Sequence, residues 1–110
     1  MINLLKPDPE YRNGYKDPQR MQDIHDLPCS LCLYLKEPQK SPTQAHHRIG
    51  LGLGKKASDR FSMALCSDHH QHGPYAIHHI GTKAFEEKFN ISQDDLILLT
   101  DRMLDHITVT

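Results

Sequence analysis

Cys29-Ser30-Leu31-Cys32 is followed, after a gap of 33 residues, by Cys66-Ser67-Asp68-His69-His70, and these two short motifs decide the fold. Cysteine and histidine are the side chains that bind transition metals most strongly. Each motif sets two ligands within one turn, so each can chelate a single ion. Together Cys29, Cys32, Cys66 and His69 make a Cys3His set, the number and type of ligand that zinc favours. The alternative is three free thiols beside a polar histidine.

The rest of the chain suits a metal staple. At 110 residues, 37% of them hydrophobic, with three Phe, four Tyr and no Trp, the chain is one small domain with a sparse core. Small scaffolds need a disulfide or a metal to hold them. Three cysteines cannot all pair within one chain, and CxxC is a poor secreted-disulfide framework. A structural zinc in a reducing compartment is therefore expected. Met1 to Leu5 is too short for the apolar segment of a signal peptide, and no apolar run reaches the ~18 residues of a membrane span. The expectation is a soluble cytoplasmic protein with no membrane partner.

Net charge is -1, which excludes a uniformly basic nucleic-acid binder. Its distribution is uneven. Lys36, Lys40, Arg48, Lys55, Lys56 and Arg60 outnumber Glu37 and Asp59 by four between residues 36 and 60. Six acids outnumber Lys88 and Arg102 by four between residues 86 and 105. A local basic face of this kind can meet a phosphate backbone.

Residues 1–17, with Pro7, Pro9, Asn13 and Gly14, read as a flexible arm, and residues 18–110 as a single domain. Pro18 to Leu27 is a predicted helix that Pro28 ends. Ala45 to Ile49 and Phe61 to Leu65 are predicted short strands. They flank Gly50-Leu51-Gly52-Leu53-Gly54-Lys55-Lys56, a glycine-rich hairpin without P-loop spacing. A helix starts near Ser67 and breaks at Gly73-Pro74. Thr82 to Phe89 is a further helix. Ser92 caps a last one striped by Leu96, Leu99, Met103 and Ile107. The fold class is α+β: a small metal finger with C-terminal helices.

Nine histidines are too many for one zinc, and seven lie between His46 and His79. His46 and His47 are adjacent on a strand, so they point to opposite faces. One can bind a metal while the other meets a substrate. His25, His72, His79 and His106 read as surface residues.

CxxC, the dyad Ala45-His46-His47, the hairpin from Gly50 to Asp59 and Ala64-Leu65-Cys66-Ser67-Asp68-His69-His70 together resemble the HNH, or ββα-metal (treble-clef-like), nuclease superfamily. Ile77-His78-His79-Ile80-Gly81-Thr82-Lys83-Ala84-Phe85-Glu86 looks like the phage Ref-like, RecA-dependent recombination nucleases. The resemblance spans roughly residues 18–104. It implies a metal-dependent endonuclease cutting DNA phosphodiester bonds, phage-encoded and linked to recombination. In that reading His46, His70 and His78 bind a catalytic divalent metal (Mg, Mn or Zn). His47 is the general base, a role suited to an imidazole with an ordinary pKa of about 6.5. The family's middle Asn has no counterpart here, since Asn3, Asn13 and Asn90 all lie outside the hairpin. Asp59 is the candidate to orient His47, as carboxylates commonly fix an imidazole tautomer. Arg48, Lys55, Lys56 and Arg60 are candidate DNA-phosphate contacts. The resemblance also names a RecA-type recombinase filament as a partner.

Two other classes fit the same residues. One is a zinc-stapled DNA-binding or adaptor module without catalysis. The other is a protein-interaction domain that uses its acidic C-terminal helix.

Overall fold

A computed structural model describes residue 12, residues 14–49 and residues 57–109, with side chains through His106. The expectations for the arm before Arg12, and for the glycine-rich segment with Lys55 and Lys56, lie outside the described residues. The architecture is α+β, with one two-stranded antiparallel sheet flanked by helices. No helix among the described residues is long and apolar enough to cross a membrane.

Helix α1 spans Pro18–Ile24. Asp17 accepts the Arg20 N–H at 3.1 Å and Pro18 occupies the first turn, so the start follows from local chemistry. The end comes three residues before the predicted Leu27. The N–H groups of His25, Asp26 and Leu27 each reach back only three residues, tightening the chain before Pro28. Helix α2, Ser30–Leu35, rises directly out of the CxxC motif. Cys29 Sγ caps it by accepting the Cys32 N–H at 3.4 Å, and Lys36 closes it in the left-handed conformation. At six residues it is too short to leave a periodic signature in the sequence.

Strands β1 (Thr43–His47) and β2 (Ser62–Cys66) pair with His46 opposite Met63 and Ala45 opposite Ala64. β1 lies two residues earlier than predicted. Ile49 leaves the strand because the Gln93 side chain takes both its backbone groups, accepting its N–H at 2.9 Å and donating to its C=O at 3.1 Å. β2 is buried along its whole length. On its outer side Thr100 Oγ1 accepts the Ala64 N–H at 3.0 Å and Ser30 Oγ donates to the Ala64 C=O at 2.7 Å. Among the described residues β1 is flanked by a strand on one side only.

After β2, residues Asp68–His72 form one turn of π-helix, closed by the Gly73 N–H bonding the Asp68 C=O at 2.9 Å. Helix α3 (Ile77–Ile80) meets helix α4 (Thr82–Phe89) at Gly81, whose φ of 89° only glycine adopts without strain. Helix α5 spans Gln93–Val109, with Ser92 Oγ accepting the Asp95 N–H at 3.1 Å.

Leu31, Met63, Leu65, Ile77, Phe85, Leu96 and Ile97 form the main core around β2, and Ile24, Leu27 and Ala64 a smaller one beneath α1. Buried Arg20 joins three elements. Its guanidinium donates to Ser62 Oγ at 2.9 Å and the Ser62 C=O at 2.7 Å, and pairs with Asp101 at 2.7 Å. At the other end of the sheet, the Pro42 C=O accepting the Ser67 N–H at 2.9 Å and Ser41 Oγ accepting the Asp68 N–H at 3.0 Å hold the start of β1 against the π turn.

Candidate metal centres

Cys29, Cys32, Cys66 and His69 come together at the junction of α2, β2 and the π turn. Their separations are 3.9 Å between Cys32 and Cys66 Sγ, and 3.7, 3.6 and 3.2 Å from His69 Nδ1 to the sulfurs of Cys29, Cys32 and Cys66. A tetrahedron of thiolates and imidazole around zinc has edges of about 3.5–3.8 Å. A disulfide would need about 2.05 Å, and none of the three cysteines is in a disulfide. The cluster can hold a metal ion such as zinc.

The electrostatics agree with the geometry. Three adjacent sulfurs cannot all ionise without a cation among them. Hydrogen bonding from Cys29 pulls the Cys66 thiol well below its ordinary range, and the same contact, with burial, pushes Cys29 up. Burial and then the Cys66 charge push Cys32 up to about 11. A divalent ion would let all three ionise together. The scaffold backs the knuckle: Gln39 Oε1 accepts the Cys29 N–H at 2.7 Å, while Gln39 Nε2 donates to Thr43 Oγ1 at 2.8 Å.

His46, His70 and His78 form a second cluster, which the π turn enters through His70, the residue after His69. Their rings lie 4.7–5.0 Å apart, centroid to centroid. His70 Nε2 and His78 Nε2 face each other at 3.1 Å. His46 Nε2 is buried and has no hydrogen-bond partner among the described residues. Buried polar atoms are almost always paired, so an orphan nitrogen on a ring packed against two other imidazoles needs an explanation. Three imidazole nitrogens on one ion stand about 3.0–3.4 Å apart at metal–nitrogen distances of about 2.1 Å. Burial, then the neighbouring His70 and His78, lowers His46 to about 3. Burial, then His78 and His72, lowers His70 to about 4. Both rings are therefore neutral at pH 7, the form that binds metal.

His47 lies on the other face of β1. Its Nε2 is 2.6 Å from Asp59 Oδ1, and Asp59 Oδ2 accepts the Asp17 N–H at 2.7 Å. Burial pushes the Asp59 carboxyl up, but the bonds from His47 and Asp17 outweigh it and hold it below the ordinary value. A carboxylate only accepts, so it holds His47 as the Nε2–H tautomer and leaves Nδ1 as the basic nitrogen.

The candidate phosphate contacts are less open. Arg48 pairs with Asp94 at 2.8 Å and Arg60 with Asp17 at 3.3 Å, both partly exposed. His25, His72, His79 and His106 are exposed, as expected of surface residues.

Three residues outside the sequence expectations shape the site. Gln44 Oε1 lies 2.8 Å from His70 Nδ1. Gln93 clamps Ile49 just beyond the His dyad. Gly73 closes the π turn: a Cβ there would lie 2.3 Å from the Asp68 carbonyl oxygen. Only the glycine carried a local signal, beside Pro74. Comparison with protein-family models, curated proteins and solved structures finds no match.

Proposed function

We propose that the chain is a metal-dependent endonuclease of the HNH type that hydrolyses DNA phosphodiester bonds. In this reading Cys29, Cys32, Cys66 and His69 hold a structural zinc. The strand pair followed by the π turn and helices is a zinc-stapled ββα finger. His46, His70 and His78 hold a second, catalytic ion.

The observation that carries the reading is the adjacency of two different devices on β1. His46 contributes to a cluster of converging imidazole nitrogens. His47, the next residue, is tethered to a carboxylate at 2.6 Å with its other nitrogen left basic. In this reading the phosphodiester lies along the side of β1 that pairs with no strand among the described residues, between His46 on one face and His47 on the other. His47 Nδ1 takes a proton from the attacking water, and Asp59 stabilises the imidazolium that results. A divalent ion, when bound, supplies Lewis-acid stabilisation of the charge building on the phosphate and the leaving oxygen. Three neutral imidazoles with no carboxylate favour a borderline transition metal such as Mn or Zn over Mg, which prefers oxygen ligands.

Plasmid nicking by the wild-type chain and by His46→Ala, with metal content measured in both, tests the reading. The expected result is cleavage lost in the variant while zinc on the cysteine cluster stays. Unchanged cleavage by His46→Ala would remove the second cluster from the chemistry.

A further inference from the structure

Gln44 and His70 are 26 residues apart in sequence, yet Gln44 Oε1 sits 2.8 Å from His70 Nδ1. Gln44 and His46 alternate on β1, so both side chains lie on the face turned to the π turn. An amide oxygen has no hydrogen to give, so Nδ1 of His70 must carry the proton. A neutral imidazole has one N–H, and its Nε2 is then a bare lone pair. That nitrogen faces His78 Nε2 at 3.1 Å.

The opposite tautomer would be costly to the cluster. Imidazole side chains in water favour the proton on Nε2. In that form His70 Nε2 carries the proton and has no lone pair for an ion, whereas as Nδ1–H it accepts across the same 3.1 Å from His78 Nε2–H and keeps that lone pair. We infer that Gln44 is a positioning residue: its amide oxygen locks His70 as the Nδ1–H tautomer, so that His70 Nε2 keeps its lone pair for a divalent transition metal beside His46 and His78. The inference rests on the metal reading of this cluster proposed above. The lock itself is a property of the metal-free chain.

The test uses the full chain with zinc retained on the cysteine cluster. Two-bond proton–nitrogen NMR correlations report the His70 tautomer without a second metal. Cobalt(II) titration, followed by absorption bands free of thiolate charge transfer, reports affinity at the histidine cluster. Gln44→Leu, which keeps bulk but removes the acceptor, is expected to move the His70 proton to Nε2 and weaken cobalt binding about 10–100-fold. Gln44→Glu, which restores an acceptor, is expected to recover both. An unchanged tautomer and unchanged cobalt affinity in Gln44→Leu would overturn the role of Gln44. A wild-type chain with the Nδ1–H tautomer that takes up no cobalt at this cluster would instead overturn the metal reading, and the proposed role with it.

Discussion

His47 donates through Nε2 to Asp59 Oδ1 at 2.6 Å, while the second oxygen of Asp59 is held by the Asp17 N–H at 2.7 Å. The carboxylate is thus fixed from behind before it orients the imidazole. This predicts the behaviour of Asp59→Asn. The Asp17 N–H needs an acceptor, so the Asn oxygen stays with it and the Asn NH2 turns toward His47. An N–H aimed at Nε2 forces the proton onto Nδ1, which in the proposed nuclease removes the base. Cleavage should fall about 10²–10⁴-fold with little change in melting temperature. Single-turnover nicking beside a thermal melt checks this, and full activity in the variant would contradict it.

Gly73 controls the spacing of the two clusters. Its N–H closes the π turn on Asp68, and the turn presents His69 to the cysteines and His70 to His46 and His78. π turns are rare and recur at functional sites. In Gly73→Ala the new methyl would meet the Asp68 carbonyl oxygen at 2.3 Å, against backbone that cannot yield cheaply. The expected cost is about 1–3 kcal/mol of stability together with weaker metal binding at the histidine cluster. Denaturant unfolding and metal titration measure both. A variant as stable and as metal-avid as wild type would contradict the geometry.

Acid should destabilise the chain through its buried histidines. His46 is lowered to about 3 and His70 to about 4, from an ordinary 6.5. Between those values the unfolded chain binds protons that the folded chain refuses, so stability is present above pH 6.5 and falls as pH drops toward 4. Each such histidine contributes a slope of about 1.4 kcal/mol per pH unit. Urea unfolding between pH 7 and pH 5, without a second metal, should show this slope, and His46→Leu should reduce it. Equal slopes in wild type and variant would rule out the buried imidazole as its source.

On the proposed structural-zinc reading, removal of the ion from the cysteine cluster should unfold much of the chain. The cluster ties α2 to β2 and the π turn, and structural zinc contributes roughly 10 kcal/mol or more in zinc-finger peptides. Chelation, or Cys32→Ser, is expected to lower the melting temperature sharply and to remove the histidine cluster's metal with it. Circular dichroism under chelator reads this. A chain that keeps its fold without the ion would show that its core suffices alone.

The cysteine–histidine cluster was legible because its members come in pairs close in sequence. CxxC and Cys66-x-x-His69 carry their geometry in a spacing of three, and the His46-His47 dyad carries its two-faced character in strand alternation. Helices α4 and α5 were legible through apolar periodicity and the Ser92 cap. Gln44 and Gln93 were not, because an isolated glutamine has no pattern. Each gains meaning from an apposition across 26 or 44 residues. The π turn was hidden as well, since five residues cannot distinguish its period from that of an α-helix. Arg48 and Arg60 read as open cations in sequence, whereas the fold places Asp94 and Asp17 against them.

Plasmid nicking by the purified full chain with Mn²⁺ or Mg²⁺, run beside His47→Ala with the zinc content of both determined, bears most directly on the nuclease reading. The expected result is metal-dependent nicking that disappears in the variant, with about one zinc retained in both preparations. Nicking that continues unchanged in a folded, zinc-loaded His47→Ala chain would contradict it.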